Sequence, residues 1–552
     1  MVRSSPVDLP MRRPWMTLLL CLAVGACQHH QANTGTTDAL PSDASFSPGI
    51  VLDDVAQHVK ALSSDELLGR TVGGDAEQRT TRYLIQQFAR IGLAPGNNGS
   101  WLQAVPYVSA TLQHPEQVTL SIQGEHGADE LAFGKDMVVG TLAEQPHVSL
   151  EASPLVFVGY GIDAPGEQWN DYAGLDLKGK TVVILVNDPG WVNQDPRLFR
   201  GREFTYFGRW TYKFEEAARK GAAAAFIVHD TEDAGYPWSV VQNGWSIARP
   251  DLPMAVEGGH RLPVAGWLST AAARQLFNHA GADFDALKRQ AAQRGFVPVP
   301  LSATLSVAFD STIRRGESHN VVARLDGSKR PGEAIVYSAH WDHVAATGEA
   351  PRGTMDNATG LAGLLEIAEA FAHRAPKPHR SLLFIATTLD ETGLIGARYY
   401  VAHPLVPLPS TVADINLDLL PADGPASALA VIGFGQSQLD DYLAEAAHAQ
   451  RRKVMADIQP EKGLFFRSDQ LSFARAGVPV LYVRSAAAQP DAGSDYGVPA
   501  SMDRYNPRRD LSGTVEDVRA LFMVGSRLSM EDSFPQWKPG SDYQRPQSMR
   551  GL

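Results

Sequence analysis

Residues 334–343 read AIVYSAHWDH, a short apolar run that ends in His340 and is followed at once by Asp342 and His343. A run of this length and composition is typical of a buried strand. Further along the chain, the helix pattern GLAGLLEIAEAFAHR is followed by the strand patterns SLLFIATTLD and ADINLDLL. This alternation of strands and helices predicts an α/β domain with a mostly parallel sheet flanked by helices.

Acidic and histidine side chains stand where these predicted strands end. They are His340 after the first, Asp390 and Glu391 after the second, and Asp418 after the third, with Asp356 just before the helix. Sites in parallel sheets lie at the carboxyl ends of the strands. Carboxylates that converge there repel one another unless a cation lies between them, and histidine with carboxylates suits zinc. Each residue alone would more commonly be a helix cap, but together they predict a zinc site.

The composition restricts the class of protein and the kind of metal site. A chain of 552 residues is too long for one ordinary domain. Its net charge of −12 argues against a nucleic-acid partner, which a basic surface would favour. Cys21 and Cys27 are the only cysteines, and both lie in the N-terminal apolar segment. The mature fold is therefore expected to hold its metal with His, Asp and Glu.

The N-terminus is typical of an export signal. Arg12 and Arg13 precede the apolar run MTLLLCLAVGAC, which is too short to cross a bilayer. The run ends in VGAC, which resembles a bacterial lipobox and implies lipidation of Cys27. Gln28 after the cysteine favours the outer membrane, so we expect an exported lipoprotein that meets the membrane only through its anchor. An ordinary signal peptide, cleaved at small residues, is the alternative.

Five stretches of the sequence together resemble the M28 family of zinc peptidases. They are AHWDH, MDNATG, TLDETGLIGARYY, INLDLL and FFRSD followed by SFARAGVPVL. SSDELLGR (63–70) resembles the family's N-terminal segment, and AARKGAAAAFIVHD (217–230) resembles the protease-associated (PA) domain that many members carry as an insertion. The resemblance implies a zinc-exopeptidase-like fold with an inserted, β-rich PA domain.

The expected organisation follows from this resemblance and from the composition. It comprises a signal peptide (1–27), a flexible tether (28–47), the first part of the peptidase domain (48–149), the PA-like insertion (150–304) and the M28-like peptidase domain (305–545).

The resemblance also implies roles for the residues at the strand ends. His340 and Asp418 would bind one zinc ion, Asp356 would bridge two, and Glu391 would belong to the second. The carboxylate of Asp342 would orient the imidazole of His340, and Asp390 would be the general base. His343 is expected to have a structural hydrogen-bonding role.

Two positions depart from the family pattern. The family's base is normally Glu, whereas Asp390 is shorter by one methylene, about 1.5 Å. The family's last ligand is a His after Tyr, but the motif DRYNPRRD has Asn506 there, and no His follows His448. An amide oxygen is a weaker zinc ligand than imidazole. We therefore expect one tight zinc site and a second, weaker one.

The resemblance favours a zinc-dependent exopeptidase that acts on peptides, most simply an aminopeptidase. One alternative is a lipid-anchored binding protein of the same fold with weakened or lost turnover. Another is a hydrolase of a different amide, such as a carboxypeptidase-type substrate.

Overall fold

The computed structural model describes residues 46–344, 353–487 and 505–545. Its strands are β1 (Ala94–Pro95), β2 (Leu102–Leu112), β3 (Thr119–Gly124), β4 (Gly127–Ala132), β5 (Met137–Gly140), β6 (His147–Phe157), β7 (Asp163–Ala164), β8 (Trp169–Asn170), β9 (Thr181–Leu185), β10 (Ala224–His229), β11 (Arg249–Asp251), β12 (Val264–Ser269), β13 (Val299–Leu325), β14 (Arg330–His340), β15 (Arg380–Thr387), β16 (Thr411–Asn416), β17 (Ala428–Val431), β18 (Lys453–Ala456) and β19 (Val480–Ala486).

The helices of the described chain are α1 (Leu52–Leu62), α2 (Gly74–Ile91), α3 (Pro189–Asn193), α4 (Trp210–Arg219), α5 (Thr231–Ala234), α6 (Trp238–Trp245), α7 (Met254–Glu257), α8 (Thr270–His279), α9 (Phe284–Ala291), α10 (Thr359–Ala372), α11 (Ile395–Ala402), α12 (Leu439–Ala449), α13 (Gln470–Arg475) and α14 (Ser512–Met530). Among the described residues, no helix combines the length and the apolar character that crossing a membrane requires.

The sheet that carries the predicted strand ends has a parallel centre. Strands β15, β14, β16 and β19 lie side by side and pair in parallel. Antiparallel pairs extend this centre on both sides, through β13 and β2 at one flank and β17 at the other. The predicted α/β fold with a mostly parallel central sheet is confirmed. Because β14, β15 and β16 point the same way, their carboxyl ends meet at one edge.

Alternating side chains of β14 pack on opposite faces of this sheet. Val336 belongs to an apolar cluster with Tyr400 of α11 and Phe473 of α13. The next residue, Tyr337, contacts Phe371 of α10 on the other face, as the period of two in a strand requires. Both layers of helices are therefore anchored on the strand that ends in His340.

Helix α10 lies in the protein core, as its sequence predicts. A helix that is apolar on all sides is buried on all sides, and Leu361, Leu364 and Leu365 are fully buried. Gly363 has no room for a side chain, because a Cβ atom would lie 2.8 Å from side-chain atoms of Leu417 and Val518. This close approach fixes the start of α10 beside the segment that leads from β16 to Asp418.

A second sheet is joined to the first through β13. The first half of β13 pairs with β3 and β6, and its second half pairs with β2 and β15. Beyond β6, strands β9, β10 and β12 pair in parallel, and β5 closes the edge. This sheet takes strands from both sides of residue 150, since β3, β4 and β5 precede that position. Whether it is a PA domain stays a prediction.

Arg70 connects the N-terminal segment to both ends of the connection between β14 and α10. Its side chain is fully buried and donates hydrogen bonds to the main-chain oxygens of Leu62 (2.6 Å), Trp341 (2.9 Å) and Gly353 (2.8 Å). It also lies 3.2 Å from the main-chain oxygen of Asp356. A planar guanidinium presents five N–H donors in a fixed fork, so it can bond several acceptors at once. Arg70 therefore fixes the main chain at Trp341, just after β14, relative to that at Gly353, before α10.

Arg70→Met should reduce the free energy of unfolding by about 3 kcal/mol or more, because each buried carbonyl left without a donor costs about 1–3 kcal/mol. Urea denaturation followed by circular dichroism measures the change. Arg79→Met is the matched control: Arg79 is exposed and donates a hydrogen bond to the Glu66 carbonyl, so a change within about 0.5 kcal/mol is expected. Equal stability of the two variants would contradict the anchoring role.

Candidate metal centre

The imidazole of His340 has one nitrogen occupied and one pointing into the site. Its side chain is 1% exposed, and Nδ1 lies 3.0 Å from the main-chain oxygen of Asp342. When Nδ1–H donates this hydrogen bond, the neutral ring presents the lone pair of Nε2 to the site. Nε2 lies 3.0 Å from Asp356 Oδ1 and 3.5 Å from Asp418 Oδ1. Within the described residues it has no hydrogen-bond partner of acceptable geometry.

The structure assigns the contact with His340 to a different atom of Asp342 than the one predicted. The main-chain oxygen of Asp342, rather than its carboxylate, accepts from the ring. The carboxylate instead accepts a hydrogen bond from the main-chain N–H of Asp390, at 3.1 Å. A backbone carbonyl orients a ligand histidine as a carboxylate does. Asp342 thus fixes the imidazole by its main chain and positions Asp390 by its side chain.

Asn357 ties together the segments that carry Asp356 and Asp418. Its amide nitrogen donates to the Leu417 oxygen at 2.9 Å, and its amide oxygen accepts from the N–H groups of Gly360 (3.1 Å) and Leu419 (3.3 Å). The side chain is fully buried, so these bonds are not shared with solvent. Asn357 therefore sets the spacing between the two carboxylates that face His340.

Asp469 is a further buried carboxylate of this site, and the sequence analysis did not assign it. It is fully buried, accepts a hydrogen bond from the Thr387 hydroxyl, and lies directly before α13. Asn416 at the end of β16 donates to Ser468 (2.7 Å) and to Gln470 (2.9 Å), which places Asp469 at the strand edge. The family motif FFRSD contains this residue, so the motif was the available signal.

Burial and mutual repulsion shift the protonation of these groups. Burial raises the pKa of Asp390 well above its ordinary value; the imidazole of His340 opposes this rise, and the carboxylate of Asp469 reinforces it. Burial also raises the pKa of Asp342 to about 7 and that of Asp469 to about 6.

For His340, the charges of the neighbouring carboxylates decide the direction of the pKa shift. Burial alone would lower the pKa of His340, but the surrounding carboxylates, Asp390 foremost, outweigh it and raise that pKa well above the usual value. For Asp356, burial opposes ionisation, yet the nearby imidazole of His340 holds the pKa below its usual range. The site thus favours positive charge at the point where these side chains meet.

The side-chain atoms that meet at His340 Nε2 fit a divalent cation. His340, Asp356 and Asp418 each offer one ligand atom, and these atoms lie within 4.8 Å of one another. Buried polar atoms without a hydrogen-bond partner in the described chain include His340 Nε2, Asp418 Oδ1 and Asp390 Oδ1. Buried polar groups are normally paired, so a group of unpaired atoms facing one point suits an ion. One imidazole and two carboxylates are ligands that zinc accepts.

Glu391 and His343 lie beside the group formed by His340, Asp356 and Asp418. Asn506 is at the protein surface. His343 Nδ1 is 3.0 Å from Glu391 Oε1, and both side chains lie near Asp356. Asn506 is exposed, and its amide oxygen accepts a hydrogen bond from the N–H of Arg508 at 3.0 Å. Cys27, the predicted lipidation site, lies outside the described residues.

Comparison with known proteins gives matches at several levels. The sequence of residues 320–512 matches the family model described as Peptidase family M28. A vacuolar membrane protease of Candida dubliniensis is 35% identical over 88 residues, which is 16% of this chain and 9% of that protein. Leupeptin-inactivating enzyme 1 of Streptomyces exfoliatus is 25% identical over 234 residues, 42% of this chain and 49% of that protein. This chain thus spans only a small part of the vacuolar proteases it matches.

Two of the solved structures that match this chain are aminopeptidases. The aminopeptidase from Aneurinibacillus sp. strain AM-1 gives a TM-score of 0.49 at 21% identity, over 90% of this chain and 97% of that one. BSAP, a zinc aminopeptidase from Bacillus subtilis, gives a TM-score of 0.44 at 15% identity, over 91% and 100%.

The family match covers β14, α10, β15, β16 and α13, the elements that carry His340 and the carboxylates around it. Over this segment, about a third of its length, the chain matches peptidase family M28.

Proposed function

We propose that this protein is a zinc-dependent exopeptidase that removes N-terminal residues from peptides. The observation that carries the proposal is the buried Nε2 of His340, which faces carboxylate oxygens of Asp356 and Asp418 at 3.0 and 3.5 Å and makes no hydrogen bond of acceptable geometry within the described residues. The family match supports hydrolysis of a peptide bond. The choice of an aminopeptidase over another exopeptidase rests on the family resemblance alone, because the resemblance is to the M28 members that remove N-terminal residues.

His340, Asp356 and Asp418 would hold the tighter zinc ion. When bound, zinc lowers the pKa of a water ligand and polarises a carbonyl group. Three protein ligands would leave one position of a four-coordinate zinc for water or substrate, as a catalytic zinc site requires.

Asp390 is the proposed proton carrier. Its side chain is 8% exposed, Oδ1 has no hydrogen-bond partner in the described chain, and Oδ2 lies 3.9 Å from His340 Nε2. Burial raises its pKa, which moves a carboxyl group toward the range in which it can take up and release a proton near neutral pH. The N–H of Asp390 donates to Asp342, which fixes the backbone at this position.

Two further assignments belong to the proposal. Residues 150–304, which supply the parallel strands β9, β10 and β12 of the second sheet, are proposed to be the PA-like insertion. The mature chain is proposed to be an exported lipoprotein anchored through Cys27, which the VGAC motif after a short apolar run supports. The relatives named vacuolar membrane protease are consistent with a location at a membrane.

The purified protein should release the amine from aminoacyl anilides that have a free N-terminus, and it should leave the corresponding N-acetylated anilides intact.

Asp390→Asn keeps the size of the side chain and removes the base. This variant should lower kcat by about 10²–10⁴ and leave the bound zinc unchanged. Hydrolysis of N-blocked substrates from the C-terminus would indicate a carboxypeptidase instead. Absence of turnover on all substrates, with zinc bound, would favour the binding protein.

His340→Ala should abolish retention of the tighter zinc, because it removes the imidazole of the buried ligand set. Loss of a residue that only hydrogen-bonds to a metal ligand lowers metal affinity roughly 10–100-fold. His340 would bind the metal itself, so we expect the zinc affinity to fall by more than that. Elemental analysis after dialysis against a weak chelator measures the metal content. His373→Ala is the control, since His373 is 49% exposed and lies at the end of α10. Undiminished zinc in His340→Ala would contradict the assigned site.

Cys27→Ser should move the protein from the membrane fraction to the soluble fraction of the cell envelope, because a serine cannot carry the thioether-linked lipid. Cys21→Ser, inside the apolar run, should leave the partitioning unchanged. Fractionation followed by immunoblotting distinguishes the two variants. If Cys27→Ser stays with the membrane, the anchor is wrongly assigned.

A further inference from the structure

Three side chains meet next to the proposed zinc site and share one residue with it. A ring nitrogen of His343 and one carboxylate oxygen each of Asp356 and Glu391 lie within 4.8 Å of one another. The closest pair, His343 Nδ1 and Glu391 Oε1, is 3.0 Å apart. Asp356 also approaches the unpaired Nε2 of buried His340 at 3.0 Å. One carboxylate therefore lies between two imidazoles.

The position of His343 is set by packing as well as by this ion pair. Its main-chain N–H donates to the oxygen of Arg70 at 3.3 Å, and the residue is only 8% exposed. Gly353, with φ of 47°, lies so close that a Cβ atom there would be 2.7 Å from Cγ of the His343 ring. The main chain at Gly353 is thus packed directly against this imidazole.

Asn506 is poorly suited to complete a metal site. Its amide oxygen already accepts the N–H of Arg508, and the residue is exposed. A neutral amide oxygen is also a weaker ligand for zinc than imidazole. The position that the family resemblance assigns to a histidine ligand therefore has no equivalent donor in Asn506.

We propose that His343, Asp356 and Glu391 form a second divalent-cation site, in which His343 supplies the imidazole that Asn506 cannot. This inference rests on the proposed function, since it adds a second ion to the same centre. The second site is the weaker one. Asp356 is shared, and the side chains of the other two ligands of the second site, His343 and Glu391, are 9% and 23% exposed, against 1% for His340 and 6% for Asp418 in the first. More exposed ligands are better solvated without a metal, so they gain less from binding one.

The test is a Zn²⁺ titration of the metal-free protein by isothermal calorimetry, with no substrate present. Wild type should bind two ions per chain with different affinities. His343→Ala should weaken the second binding step at least 10-fold and leave the first within about threefold, whereas the control variant Asn506→Ala should leave both steps unchanged. Two unchanged steps in His343→Ala, or loss of the second step in Asn506→Ala, would overturn the proposal.

A measurement on the unaltered protein covers the case in which His343→Ala does not fold. X-ray absorption at the zinc edge should show the same imidazole scattering per zinc at one and at two equivalents, because each ion has one histidine ligand. A fall to half at two equivalents would show a second site without histidine and would overturn the proposal.

These outcomes are separable from failure of the proposed function. If two ions bind and the second depends on His343, but no peptide bond is cleaved, the second site stands and the exopeptidase proposal fails.

Discussion

Carboxylates buried around the imidazole of His340 repel one another, and this repulsion is the constraint on which the rest of the site depends. Two like charges about 4 Å apart interact by about 4 kcal/mol at an effective dielectric constant of 20. Burial raises the pKa of Asp390 and of Asp342, and the neighbouring carboxylates add to the rise. A divalent cation at this point would offset the repulsion between the ionised groups. Perturbed carboxylates of this kind concentrate at functional sites.

Neutral and cationic groups far apart in the sequence keep these charges in place. The Arg70 guanidinium and the Asn357 amide hold the main chains of the loops that carry the acidic side chains. They bind backbone oxygens rather than the carboxylates, so the lone pairs that face His340 stay available. Because these hydrogen bonds hold the main chain in place before an ion binds, binding requires less ordering of the chain. The loss of Arg70 should therefore affect the metal centre through its geometry.

The central fold could be predicted from the sequence, and the candidate site residues could be proposed from it, for a local reason. A strand such as β14 has a period that can be read from its own residues, and His340, Asp390 and Asp418 each lie within two or three residues of a strand end. Contacts between distant segments are not encoded locally. Arg70 reaches the Trp341 oxygen across 271 positions, and Asp469 precedes a helix rather than following a strand.

The same limit explains the details that sequence patterns did not resolve. The spacing of two residues between His340 and Asp342 allows either the carboxylate or the main-chain oxygen to meet the ring, and only the structure distinguishes them. Likewise, the proximity of His343 to Glu391 depends on how the loops after β14 and β15 approach each other. The ligand assignments, the domain boundaries and the lipid anchor remain predictions.

The most direct test of the account is anomalous diffraction at the zinc edge from crystals of the zinc-loaded protein. The strongest anomalous peak should lie within bonding distance of His340 Nε2 and of carboxylate oxygens of Asp356 and Asp418. A strongest peak bound to other residues, or the absence of any peak at this point under saturating zinc, would contradict it.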